Sequence, residues 1–386
     1  MMIQNAITIQ PGRRRGSVTV PVSKSHLHRL LIADFLAGGK LYQKEFGEVA
    51  EDVEATQRCL RALATQREGE AILDCGESGS TLRFLLPVAM TQTDRACFVA
   101  TGRLPQRPIQ PFLDLLSAHG VVSQATFPLH LTGRLQAGEY AMRGDISSQI
   151  FTGLLLALPI LPADSRILCT THLESRGYVD MTLDVLRDFG ITVREEENRF
   201  EIPGNQRYCI PETCVPERDW SGAAFWLAMN ALGSEIEVPG LNPDSAQPDR
   251  AIEALLRPEN RVIDASQCPD IFPVLSVVAA ARAGETRFVG VRRLRLKESD
   301  RLAVMAEVLR ELGKQVTVEE NAFTVVGDGL PFCGGITISP RNDHRIAMSA
   351  AVAATFATAP IAILTPECVA KSYPNFFQQL TKLVCI

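Results

Sequence analysis

Several things are missing from this 386-residue chain, and each absence removes a class of function. The ten cysteines are scattered, with no Cys-x-x-Cys pair and no Cys/His set at zinc spacing. They read as small buried hydrophobes in a reducing cytoplasm rather than as a disulfide framework. The six histidines form no spaced set, which argues against a histidine-based metal site. No apolar run stays free of charge long enough to span a bilayer, and Met1-Met2-Ile3-Gln4-Asn5 is not the charged opening of a secretion signal. Positive charge is not in excess. The formal net charge is −5, which argues against general nucleic-acid binding, so any basic site must be a local concentration. The one obvious basic run, Arg13-Arg14-Arg15, reads as a solvated turn between two strands. There is no low-complexity segment, and no Gly-Lys-Ser/Thr follows the glycines of residues 76–79, so no phosphate-binding P-loop is present.

What is present is a recurrent design. Apolar, Ala/Leu-rich stretches of helical length each open on polar residues: Lys24-Ser25-His26-Leu27-His28-Arg29, Glu77-Ser78-Gly79-Ser80-Thr81-Leu82-Arg83, Ser147-Ser148-Gln149, Asp219-Trp220-Ser221-Gly222, Pro269-Asp270 and Asn342-Asp343-His344-Arg345. They recur at intervals of roughly 50–75 residues, the size of a supersecondary repeat. Helix N-termini carry free N–H groups and the positive end of the helix dipole, so a set of them bearing Lys, Arg, Ser and Gln suits a small polyanion. Amphipathic helices alternate with them at 52–64, 108–119, 181–189, 249–256 and 302–312, several ending in Gly and then a strand. Each unit therefore reads as buried helix, strand, amphipathic helix and strands. The first and fourth units are short by about a hairpin.

Each polar front also has an ordinary explanation. Ser78, Ser147 and Asp270 are at suitable positions to cap helices and do nothing more. The run Arg292–Arg301, with Lys297 and Glu298 inside it, could be a salt-bridged helix start. If the helix begins that early, Lys297 and Arg301 share one face. Arg103 and Arg107 precede a proline-started helix, and Lys371 follows in Ala370-Lys371-Ser372-Tyr373-Pro374. Repetition of one arrangement at equivalent positions favours a shared anion site over independent accidents.

In order, and along nearly the whole chain, these stretches resemble the 5-enolpyruvylshikimate-3-phosphate (EPSP) synthases. Lys297-Glu298-Ser299-Asp300-Arg301 and Asp343-His344-Arg345-Ile346-Ala347-Met348 are the most specific matches. The resemblance implies an α/β (α+β) fold: a two-lobed inverted α/β barrel of six βαβαββ-like repeats, three per lobe. The expected lobes are residues 21–215 and residues 1–20 with 216–386, closing on the substrates. It implies transfer of the enolpyruvyl group of phosphoenolpyruvate to the 5-hydroxyl of shikimate 3-phosphate, with release of phosphate and with no metal or organic cofactor. The expected enzyme is a cytoplasmic monomer acting on small molecules, with no nucleic-acid or membrane partner.

The resemblance also assigns residues. Lys24 would touch both substrates. Ser25, Arg29, Ser147, Ser148, Gln149, Ser175 and Lys297 would hold shikimate 3-phosphate, and Gly79, Arg107, Arg301, Arg345 and Lys371 phosphoenolpyruvate, with Gln149 near both. Asp270 would accept the proton of the hydroxyl and Glu298 would serve at C3. The chain departs from the commonest family pattern at Glu77, Phe84 and Arg293, where many members have Asn, Pro and Asn. The related UDP-N-acetylglucosamine enolpyruvyl transferases typically carry Lys-Asn at the first motif and a reactive Cys or Asp near the Arg-Pro region. Lys24-Ser25 and the stretch Arg103–Arg107 favour the shikimate enzyme over that rival. A relative that binds the anions without turnover is the other alternative.

Overall fold

Two kinds of helix alternate along the chain, as their residue patterns demand. All 10 residues of Phe272–Ala281 and all 12 of His344–Thr355 are buried, because apolar or small side chains occupy every face beyond the polar opening His344-Arg345. Glu51–Thr65, Arg176–Asp188 and Arg301–Glu311 instead bury one stripe and expose the other. Polar residues at several of the fronts cap their helices. Ser78 accepts from Thr81 N, Ser147 from Gln149 N, Asp219 from Gly222 N, Asp300 from Ala303 N and Asp343 from Arg345 N. Each such cap contributes about 1 kcal/mol.

The computed structural model describes residues 5–66, 68–124 and 126–386. It comprises two compact units. The first is Lys24–Gly47 with Glu51–Pro216; the second is Met1–Ser23, Glu48–Ala50 and Glu217–Ile386. In the first unit, two four-stranded sheets repeat one topology. Ala71–Asp74 runs parallel to Arg95–Val99 after the crossover helix Gly79–Gln92. Leu129–Gly133 and Val121–Ser123 then add on antiparallel. Glu139–Met142, Ser165–Cys169, Arg199–Ile202 and Arg194–Glu196 repeat the pattern around the helix Ser148–Ala157. The two buried helices of this unit approach closely at Gly153, where a Cβ would fall 2.5 Å from the Arg83 carbonyl oxygen. Any larger residue there would separate the helices that carry Gly79 and Gln149.

The second unit holds one complete copy, with strands Val262–Asp264, Gly284–Val289, Ala322–Gly327 and Gln315–Val318. Two three-stranded sheets complete it by borrowing from the chain ends. Ala6–Ile9 pairs with Ile361–Leu364, which also pairs with Thr337–Ile338. Arg14–Ser17 lies between Glu235–Glu237 and Val384–Cys385. Phe272 packs edge-on against Phe288 and Phe323, at 5.3 and 5.1 Å between ring centroids, and anchors its helix to the four-stranded sheet.

Not every repeat is complete. Among the described residues no strand lies between 23 and 70, so the helix pair Lys24–Leu36 and Glu51–Thr65 has no sheet of its own. After the short helix Ile252–Leu255 the next strand, Val262–Asp264, already belongs to the following sheet. These are the two places where the sequence is short of a hairpin. The basic run also differs from expectation. Arg14 and Arg15 lie in a strand, and Arg14 is buried, donating to the carbonyls of Gly12 and Gln10 while Arg15 pairs with Glu235 on the surface. Only a tertiary neighbour, here the two flanking strands, turns a polar run into a central strand. No helix of the described residues is long and apolar enough to cross a membrane.

Candidate active site

In the second unit the charged residues gather around one buried guanidinium. Arg301, only 1% exposed, donates through Nε to Asp343 Oδ2 at 2.9 Å, through Nη1 to Asp270 Oδ1 at 2.9 Å and through Nη2 to Glu298 Oε2 at 2.8 Å. Burial disfavours its charge, yet Asp343, Glu298 and Asp270 together more than offset that and raise its pKa. Asp343 is itself fully buried. It also accepts from Ser299 Oγ at 2.9 Å and caps its own helix through Arg345 N.

Asp270 is the second hub. Besides Arg301 it faces Arg345 Nη2 at 3.3 Å and Lys297 Nζ at 3.6 Å. It does not cap the helix that follows. The N-cap of Phe272–Ala281 is Ile271, with no side-chain cap, so the carboxylate is given over to the cations. Arg345 is 2% exposed, and its Nε and Nη1 have no hydrogen-bond partner among the described residues. Buried guanidinium donors left in that state are costly unless an acceptor reaches them.

The helix containing Arg301 starts at that residue, with Asp300 as its cap, so Lys297 precedes the helix and shares no helical face with Arg301. Both still reach Asp270, through a 3₁₀ turn at Arg292–Leu296 that delivers Lys297 from outside the helix. Burial lowers the Lys297 pKa to about 8, with Arg301 and Arg293 acting in the same direction and Asp270 and Glu298 against it. Its ammonium is thus poised to exchange a proton near neutral pH. Lys371 donates to the Asn342 carbonyl at 3.0 Å, beside Asp343. Asp249 is buried close to this cluster and bonded to Ser221 Oγ. Burial, and then the charge of Asp270, push its carboxyl well above the usual range.

The first unit gathers a second set. Lys24 Nζ pairs with Asp52 Oδ2 at 2.9 Å, both side chains being mostly buried. Arg29 is buried, with its edges on Ser25 O, Tyr178 O, Thr152 Oγ1 and Thr182 Oγ1. Ser175, buried and in the left-handed region at φ 56°, starts the helix whose Tyr178 carbonyl meets Arg29. A Cβ on Gly79 would fall 2.7 Å from Arg107 Nη1 and 2.9 Å from Arg83 Nη1, so two guanidiniums stand directly over this backbone. Gln149 joins the same group, donating to Ser80 Oγ at 3.0 Å and accepting from Arg83 at 3.4 Å. Ser147 caps its helix, while Ser148 is buried in the first turn.

Sequence reasoning missed some of these partners. Asp52 was one acid among Glu51, Asp52 and Glu54 at a helix start, where the dipole alone explains it. Asp249 read as the first residue of an amphipathic helix at 249–256, whereas it lies in the 3₁₀ turn Pro248–Ala251 before the short helix Ile252–Leu255. Arg83 lay in view one turn into its helix but had no assigned contact. The sheet register also sets Cys97 opposite His130, with Glu70 beside them, and brings their donor atoms within 4.8 Å of one another. No spacing along the chain reveals that group, because it draws on two strands and on the residue just before a third.

The family model for EPSP synthase (3-phosphoshikimate 1-carboxyvinyltransferase) matches residues 9–267 and 258–380. A 3-phosphoshikimate 1-carboxyvinyltransferase of Clostridium perfringens is 37% identical, with 98% of each chain covered. One from Clostridium kluyveri is 38% identical, covering 98% of this chain and 97% of the relative. The alignment with the first runs over 418 residues against the 386 of this chain, so gaps open in the shorter sequence. The structure of an Acinetobacter baumannii EPSP synthase superposes with a TM-score of 0.76 at 25% identity, covering 98% of each chain. The match of family model, relatives and fold over almost the full length places this chain in the EPSP synthase family.

Proposed function

We propose that Asp270, Glu298 and Lys24 carry the proton and charge movements of the enolpyruvyl transfer this family performs. Phosphoenolpyruvate and shikimate 3-phosphate give 5-enolpyruvylshikimate 3-phosphate and phosphate. Asp270 accepts the proton of the 5-hydroxyl as its oxygen adds to C2 of phosphoenolpyruvate, and Glu298 delivers a proton to C3. The tetrahedral adduct then loses a methyl proton and expels phosphate. Lys24, Arg107, Arg301, Arg345 and Lys371 neutralise the phosphate and carboxylate of phosphoenolpyruvate, with the Gly79 backbone and Gln149 alongside. Ser25, Arg29, Ser147, Ser148, Gln149, Ser175 and Lys297 hold shikimate 3-phosphate.

The observation that carries this reading is the ring of cations on Asp270, together with the unmet donors of Arg345. Lys297, Arg301 and Arg345 surround the Asp270 carboxylate with positive charge at the point where the acceptor hydroxyl would be deprotonated. As the adduct's C2–O bond to phosphate breaks, negative charge develops on the departing phosphate next to fixed positive groups, where it is most strongly stabilised. The absence of any disulfide among the ten cysteines supports a reducing cytoplasm as the working compartment.

Asp270→Ala and Glu298→Ala should each reduce kcat by about 10²-fold or more, the usual contribution of a positioned acid or base. Steady-state phosphate release measures this directly. Near-normal rates in both variants would remove these carboxylates from the mechanism.

A further inference from the structure

Two buried arginines of this chain keep their charge in opposite ways. Arg301 is surrounded by carboxylates. Arg29, 2% exposed, has none: its acceptors are two hydroxyls and two carbonyls, Thr182 Oγ1 at 2.8 Å, Thr152 Oγ1 at 3.2 Å, Tyr178 O at 2.9 Å and Ser25 O. Burial accordingly pulls its pKa down to about 9. Its guanidinium carbon lies over the ring of Phe84, itself 2% exposed, 5.0 Å from the ring centroid. The ring also meets His28 edge-on at 6.1 Å. Burial, and then the charges of Lys24 and Arg29, lower the pKa of that imidazole, so it adds no competing cation.

We propose that Phe84 is a positioning residue for the acceptor substrate: its ring face stabilises the Arg29 guanidinium in place of a carboxylate and leaves that charge available to an anionic group of shikimate 3-phosphate. This rests on the assignment of Arg29 to the acceptor. The physical distinction is specific. A carboxylate in the same place would form a bidentate pair with Arg29 and compete with the substrate for it. An aromatic quadrupole attracts the cation without cancelling its net charge. Thr182 completes the arrangement, because it accepts from Arg29 Nε and donates to Tyr178 O at 3.0 Å. Phe84 and Thr182 thus hold the guanidinium from two sides, at its carbon and at its Nε.

The test replaces Phe84 with mono-, di- and trifluorinated phenylalanine, which keep the shape of the ring while draining negative potential from its face. The KM for shikimate 3-phosphate is expected to rise stepwise, to about 10-fold at the trifluorinated ring, the scale of a desolvated cation–π contact. The KM for phosphoenolpyruvate, kcat and the melting temperature should hold nearly constant. Phe84→Leu should raise the same KM by a similar factor. A flat KM across the fluorinated series would overturn the proposal. Arg29→Lys, measured alongside, separates the two layers. If it leaves the KM for shikimate 3-phosphate unchanged, the assignment of Arg29 fails and the proposal fails with it. If that KM rises while the fluorinated series stays flat, only the role of Phe84 is lost.

Discussion

Lys24→Ala is expected to lower phosphate release by at least about 10³-fold while the protein stays folded. The size follows from the double duty proposed for Lys24, since loss of one fixed donor to developing charge costs about 10²–10³ in rate and the same ammonium is proposed to hold the acceptor. The folded state should tolerate the change. The partner of Lys24 is Asp52, in the first turn of Glu51–Thr65. A carboxylate at that helix end keeps the favourable dipole when its ion pair is lost, so destabilisation should stay below the roughly 3–5 kcal/mol of a fully buried pair, at about 2 kcal/mol. Thermal unfolding and initial rates on one preparation decide the matter. A collapsed melting curve would make Lys24 a structural residue, and retained turnover would remove it from the site.

Arg301→Met should act differently, destabilising the second unit as well as abolishing turnover. The substitution removes a 1%-exposed cation and strands Asp343, which is fully buried, together with parts of Asp270 and Glu298. Breaking one side of a buried ion-pair network costs about 3–5 kcal/mol, because desolvated carboxylates are left without a counter-charge. Arg301→Lys should recover little. One compact ammonium cannot present donors to three carboxylates in the planar fork that Arg301 uses. Urea titration followed by tryptophan fluorescence reports on this unit, which contains both Trp220 and Trp226. An unchanged midpoint for Arg301→Met would mean that the network carries no stability.

Much of this was legible in the order of residues. Buried helices announced themselves as Ala/Leu runs with polar fronts, because a helix with no charged face has nowhere to go but the interior. The missing hairpins were legible as missing length. Side-chain destinations were less so. Asp270 and Asp343 stand before similar apolar runs, yet Asp343 caps its helix and Asp270 does not, since the chain turns through Ile271 before the helix begins. Lys297 reached its partner from a 3₁₀ turn that periodicity does not signal. Arg14 entered a sheet only because strands from residues 235–237 and 384–385 flank it, contacts separated by more than 200 residues. Such pairings depend on loop closure and register, which a local window does not contain.

The most direct test of the central claim is phosphate release from phosphoenolpyruvate by the purified protein, with shikimate 3-phosphate and UDP-N-acetylglucosamine compared as acceptors. Turnover with shikimate 3-phosphate alone is the predicted result. Release with the nucleotide sugar instead, or tight binding of shikimate 3-phosphate with no release at all, would contradict it.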